Sequence, residues 1–282
     1  MRAACAAVVE AAQDVRLGPL DRLLAEVADR PVPRWDSTRH YAGQRERTIR
    51  YLLVLDTVNF SFWGGSGGGY WQLAERLRDA FASDDELSEP AALREVTAAR
   101  LRDLLGDLPM LEERASALRE LGAHGFDGLV RDTAAGTAAA LAERLASYAD
   151  VAEYRGRRVP LLKRAQIVPA DLHGAGVASF PDLDALTCFP DYKLPQVLRH
   201  FGACEYSTDL ARRVDGWEEL RPGDPAEVEI RAATVVAVER LREALHERGR
   251  PLRSIEVDWI LWDRSQGLYP VRPHHRTRTI FY

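Results

Sequence analysis

Ser254–Ser265 reads SIEVDWILWDRS, and whether it is a strand or a helix decides the fold class. As a strand it would be a β element in a chain where clear period-two alternation is scarce. As a helix, Ser254 serves as the N-cap, and Ile255, Trp259 and Trp262 fall at i, i+4 and i+7 on one face. We read it as a helix. The rest of the chain agrees, because LGPLDRLLAEVADR, YWQLAERLRDAF, AALREVTAARLRDLL, MLEERASALRELG, TAAALAERLASYADV and EVEIRAATVVAVERLREALHERG share the helical period and stop at Gly or Pro. RTIRYLLVLDTVNFSFW, residues 47–63, is apolar all round and is expected to form a buried helix. The fold class is therefore all-α, a packed helical array, with HHRTRTIFY at the end as a short extended segment. Residues 1–282 read as one domain, with a subdomain break placed near 122–128, where Gly, His and Phe interrupt the helices.

The 282 residues, 46% hydrophobic and 29% charged, suit a soluble globular protein with a proper core. A net charge of −5, from 43 acidic and 38 basic residues, argues against a duplex nucleic-acid binder, whose affinity rests on a basic surface. A local basic pocket for one small anion is compatible with it. Cys5, Cys188 and Cys204 make no C-x-x-C pair, so no disulfide framework is expected, and the reading is a cytoplasmic protein in a reducing compartment. No histidine has a partner at metal-site spacing, so no metal is expected. The N-terminal apolar run stops at Glu10, too short for a signal peptide, and no membrane span is expected.

Four stretches stand out for chemistry. GGSGGG, Gly64–Gly69, fails both phosphate-loop tests: no Gly-Lys-Ser/Thr follows, and no register supplies G-x-G-x-x-G. DTVNFSFW places Asp56, Asn59 and Ser61 among aromatics, where buried polar groups need partners at about 1–3 kcal/mol each if left without. They either satisfy neighbouring backbone or line a pocket in which Phe60, Phe62 or Trp63 stacks on a planar ligand while Asn59 reads its edge. In LTCFPDYKLPQVLRHFGACEYSTDLARRVD, Asp191 precedes a helix expected to begin near Pro195. It is either a helix cap or a catalytic carboxylate, with Lys193 as an anion contact. HHRTRTIFY groups His274, His275, Arg276 and Arg278 as a solvated tail or a phosphate site.

In this order, DTVNFSFW, LLKRAQI, FPDLDALTCFPDYKLPQVLRHFGACEYSTDLARRVD, EVEIRAATVVAVERL and IEVDWILWDRS…HHRTRTIFY resemble the queuosine salvage proteins, from about residue 15 to the end. The resemblance implies a queuosine 5′-monophosphate N-glycosidase that releases queuine for reinsertion into tRNA. It also implies a helical fold similar to helix-hairpin-helix DNA glycosylases. The Asp of the family's F-A-D-Y-R-V-P-Q stretch falls on Asp191, with Pro190, Lys193 and Leu194 replacing Ala, Arg and Val. The Lys of K-R-A-Q falls on Lys163, and N-F-x-F-W falls on Asn59, Phe60, Phe62 and Trp63. The glycine insert is not part of the family pattern and is read as a flexible flap beside the pocket.

The implied chemistry assigns roles. Queuine is a 7-deazaguanine, so the ring position that ordinary purines protonate on departure is carbon. A carboxylate near C1′ must support positive charge on the ribose and orient or deprotonate the attacking water, and Asp191 is the residue for it. Asn59, Phe60, Phe62 and Trp63 are assigned to the base. Asp56, Glu229 and Asp258 are the alternatives for its charged amine, and Lys163, Lys193, His275 and Arg276 for the 5′-phosphate. Hydrolysis calls for no cofactor and no metal. The partner is the nucleotide itself, with no stable nucleic-acid partner. The competing readings are a nucleic-acid base glycosylase of similar fold and a non-catalytic queuine- or nucleotide-binding protein.

Overall fold

The computed structural model describes residues 1–64, 68–83 and 86–282. Among them, thirteen helices run in order: α1 (Arg2–Ala11), α2 (Asp21–Val27), α3 (Arg45–Thr57), α4 (Tyr70–Ala82), α5 (Pro90–Arg94), α6 (Ala98–Leu105), α7 (Leu111–His124), α8 (Ala134–Arg144), α9 (Lys163–Gly174), α10 (Lys193–His200), α11 (Thr208–Asp215), α12 (Pro225–Glu247) and α13 (Ser254–Gln266). The strands are β1 (Val15–Leu17), β2 (Val151–Tyr154), β3 (Arg157–Pro160) and β4 (Cys204–Tyr206). They pair as two antiparallel ribbons, β1 with β4 and β2 with β3. The second is a hairpin turning at Arg155 and Gly156, both at positive φ, as a two-residue type I′ turn requires. The protein is thus mainly α.

Ser254–Ser265 is helical. Its cap, however, is Arg253, whose N–H donates to Glu256 Oε2 at 2.7 Å, while the Ser254 hydroxyl donates to Glu239 on α12. The buried face carries Ile255, Val257, Ile260 and Leu261, and Trp259 and Trp262 are half-buried. Residues 91–105 form two helices instead of one, because the Thr97 side chain accepts from the Arg100 N–H and starts α6 afresh. The last segment, 271–282, contributes a single bridge, Arg276 to Glu219. Among the described residues no helix is long and apolar enough to cross a membrane.

The chain divides into two compact units. The first comprises Met1–Pro33, Val151–Lys163 and Asp184–Arg278, and the second Arg34–Asp150, Arg164–Leu183 and Thr279–Tyr282. Residues 122–128 lie inside the second, across the end of α7.

At the centre of the first unit runs α12, packed against α1, α10, α13 and β1. Every residue from Ala226 to Val235 is buried, so the polar face of an amphipathic helix is missing over nearly three turns. Glu227, Glu229 and Arg231 lie in this stretch, 1–2% exposed. A buried charge persists only when paired and hydrogen-bonded. Glu229 accepts from the N–H groups of Gln13, Asp14 and Val15 at 2.7–3.1 Å and from the Tyr154 hydroxyl at 2.7 Å. These contacts fix the chain entering β1 and tie it to β2. Glu229 is therefore a structural anchor, with its lone pairs already taken, and not a partner for a substrate amine. Replacing Glu229 with Ala strands these donors, and denaturant unfolding should show a loss of about 3–5 kcal/mol. Turnover per folded molecule should be unchanged.

Candidate functional site

The first unit builds its site around Asp191. The Asp191 N–H donates to the Phe189 carbonyl at 2.7 Å, closing a three-residue turn centred on Pro190. A proline ring holds φ near about −65°, close to the roughly −75° of an inverse γ-turn, so Pro190 stiffens the turn it occupies. Two helices grip this turn. The Phe189 N–H donates to Asp258 Oδ1 on α13 at 2.7 Å, and Arg231 Nε on α12 donates to the Pro190 carbonyl at 3.0 Å.

Beyond the turn α10 begins at Lys193, two residues earlier than expected, and Pro195 sits in its first turn, where a missing N–H costs nothing. The start is earlier because Asp191 Oδ1 accepts from the N–H groups of Lys193, at 2.7 Å, and Leu194, at 3.0 Å. Asp191 Oδ2 takes no hydrogen bond from the described residues. One oxygen of the carboxylate thus caps the helix and the other does not.

Burial pushes the Asp191 carboxyl above the usual carboxylate range, opposed by the Lys163 charge, by the two N–H donors and by the Lys193 charge. Asp258 is pushed further up, chiefly by burial and also by the Asp191 charge, against its Phe189 hydrogen bond and Lys163. Lys163, at the start of α9 and 5% exposed, acts on both.

His275, one of the candidates for the phosphate, is enclosed in the first unit. It is 1% exposed, and burial, with the charges of His274 and Arg231, holds its pKa down at about 3, so the ring is neutral. Its neighbour His274 is held at about 4, mainly by burial. The His274 ring lies 4.5 Å from that of Tyr192 and 5.8 Å from that of Trp217, and the Arg276 guanidinium sits 3.9 Å over Trp217. Lys193 and Arg276 both depress His274, which puts these two cations on one patch.

The second unit holds the DTVNFSFW residues. The helix expected through Trp63 stops at Thr57. Two fully buried guanidiniums capture the carbonyls that would have continued it. Arg114 donates to the carbonyls of Val58, Phe60 and, at 2.9 Å, Ser61; Arg164 donates to those of Asp56, at 3.1 Å, and Thr57. The Ser61 N–H donates to the Tyr282 carbonyl at 3.0 Å, and Ser61 adopts φ of 45°. Asn59 and Ser61 therefore belong to an irregular segment and not to a helix. Phe60 is fully buried, with Arg114 and Arg164 at 4.5 and 5.0 Å from its ring centroid, so its ring is committed to the protein interior. Asp56 is likewise fully enclosed, and Asn59 Nδ2 donates to it at 3.3 Å. Phe62 and Trp63 are half-buried. The centre of the expected glycine flap, 65–67, lies outside the described residues.

Sequence reasoning missed three arginines. Arg231 carried a signal, a cation inside the apolar run of α12, and Arg164 follows Lys163 in the quoted KRAQ stretch. Arg114 sits in an ordinary amphipathic pattern and gave none.

Comparison with known proteins adds the context for this arrangement. The profile of the queuosine salvage protein family matches residues 39–282. A Sphaerobacter thermophilus protein named queuosine 5′-phosphate N-glycosylase/hydrolase is 43% identical over 89% of this chain and 86% of its own. Proteins of the same name from Dictyostelium discoideum, 37% identical over 84% of this chain and 79% of theirs, and Mus musculus, 32% identical over 92% and 90%, are similar along nearly their whole lengths. With the match spanning both units and including Lys163, Asp191 and Asp258, the chain belongs to the queuosine salvage protein family.

Proposed function

We propose that this protein hydrolyses the N-glycosidic bond of queuosine 5′-phosphate and releases queuine. The observation that carries the mechanism is the divided carboxylate of Asp191, one oxygen fixed by two backbone N–H groups and the other without a hydrogen bond. As the C1′–N bond breaks, positive charge grows on the ribose. An ionised carboxylate in a water-poor site stabilises that charge far more than bulk water would. The same oxygen orients the incoming water and draws off its proton. The water oxygen bonds to C1′, the base departs with the electron pair of the broken bond, and a proton replaces the sugar on it. The Lys163 charge opposes the rise that burial gives the Asp191 carboxyl and so favours its ionised form.

The remaining assignments follow from how each side chain is held. Of the three acidic candidates for the base's amine, Asp258 is the one we retain, since Glu229 is saturated and Asp56 enclosed. A bound ammonium group would favour the ionised form of Asp258. Asn59, Phe62 and Trp63 are proposed for the base. Lys193 and Arg276 are proposed for the phosphate, as two cations that both act on His274, with the Arg276 guanidinium stacked on Trp217. We also propose a helical arrangement of the helix-hairpin-helix glycosylase kind, supported by the mainly α architecture. Cytoplasmic placement is proposed on the free, buried Cys5, Cys188 and Cys204, and the acidic balance supports a small nucleotide over a nucleic acid as partner.

Two measurements test this. Asp191→Asn should cut queuine release from queuosine 5′-phosphate, followed by mass spectrometry, by about 1,000-fold or more while leaving nucleotide affinity within a few-fold. Undiminished release would remove Asp191 from the mechanism, and loss of affinity alone would favour a binding protein. The second concerns pH. Asp191 must be ionised, and its carboxyl is raised above the ordinary value near about 4, so kcat/KM falls as pH drops through that raised pKa. Lys163 opposes the rise, so Lys163→Met should move this acid limb to higher pH. A limb unmoved by the substitution would separate Lys163 from Asp191.

A further inference from the structure

The turn that presents Asp191 offers few handles. Pro190 has no N–H, and the Phe189 carbonyl is spent on the Asp191 N–H. What remains is the Phe189 N–H, held by Asp258, and the Pro190 carbonyl, held by Arg231. That carbonyl belongs to the peptide plane joining Pro190 to Asp191, so whatever holds it sets the direction from which the Asp191 side chain departs. Arg231 is suited to this task by its own fixation. It rises from the fully enclosed stretch of α12, is 2% exposed, and has Glu227 one helical turn earlier at 3.5 Å from its Nη1. A planar guanidinium so enclosed has few alternative orientations.

We propose that Arg231 is a positioning residue for Asp191, fixing the Pro190–Asp191 peptide so that the free carboxylate oxygen is held at its place of action. The proposal rests on the reading of Asp191 as the catalytic carboxylate. Arg231 acts through the backbone; in the structure its guanidinium faces the Pro190 carbonyl and Glu227. Its loss therefore affects the chemical step and leaves affinity for the base alone. The Asp191 oxygen keeps its two N–H anchors on α10 in any such variant, so the carboxylate remains capped but is no longer aimed.

The test compares Arg231→Lys and Arg231→Gln with the unaltered protein in single-turnover release from queuosine 5′-phosphate, in affinity for free queuine and in melting temperature. Displacing a reacting group by about 1 Å costs about 100-fold, so kcat should fall by about 30- to 100-fold in Arg231→Gln, with KM and queuine affinity within about three-fold. Arg231→Lys, which keeps a charged donor, should be milder, and it decides the matter alone if Arg231→Gln does not fold. Placed in an Asp191→Asn background, either substitution should change the residual rate by less than about two-fold, because a group acting only through Asp191 has nothing left to act on. A kcat within about three-fold of the unaltered protein in both folded variants would overturn the proposal. So would equal losses of turnover and queuine affinity, which mark a merely structural arginine, or full additivity with Asp191→Asn. If Asp191→Asn itself turns over normally, the reading of Asp191 fails and takes the positioning role with it, a result distinct from additivity, which removes Arg231 alone.

Discussion

A helix enclosed on every side cannot leave charged side chains without partners, and α12 carries Glu227, Glu229 and Arg231 within its enclosed stretch. Apolar residues there would have packed more cheaply. The charges instead reach backbone groups of the short connecting segments around β1 and before α10. Glu229 gathers the N–H groups of residues 13–15, and Arg231 takes the carbonyl of Pro190. The most rigid element of the first unit thereby imposes its rigidity on its least regular parts. One of those parts is the turn that carries Asp191.

Asp191 was open to two readings, a helix cap or a catalytic carboxylate; the geometry shows the cap, and our proposal gives the second oxygen the catalytic role. The N-terminal N–H groups of α10 need an acceptor, and Oδ1 supplies it. This capping immobilises the carboxylate without occupying Oδ2. A carboxylate fixed only by other side chains would have to desolvate them as well. Burial raises the energy of the ionised form, while the helix N-terminus and Lys163 lower it.

In the second unit the same device appears with the opposite sign of burden. Arg114 and Arg164 are buried cations satisfied largely by main-chain carbonyls between Asp56 and Ser61. In place of i+4 N–H bonds, these carbonyls meet guanidiniums and, at Asp56 and Val58, the N–H groups of nearer residues. The chain leaves the helix at Thr57 and runs on as an irregular segment that exposes parts of Phe62 and Trp63. Local preference favoured more helix here, and two arginines distant in sequence overrode it.

The helical class and the helix at Ser254–Ser265 were legible in the sequence, as were the stretches that carry Asp191 and Lys163. Periodicity is a local property, and the motifs that resemble the family are contiguous. The end of α3, the break at Thr97 and the early start of α10 were not legible at the same level, since each depends on which hydrogen bond wins at a helix terminus. Nor was the sorting of the acidic and basic candidates. Glu229, Asp56 and Asp258 are alike as letters, and only the donors around them make one an anchor, one an enclosed group and one a partner of Asp191. The sequence by itself determined which residue types are available and the secondary structure that carries them. Tertiary structure alone decided which charges are spent on backbone groups and which remain free, because burial and hydrogen-bond saturation are set by neighbours far away along the chain.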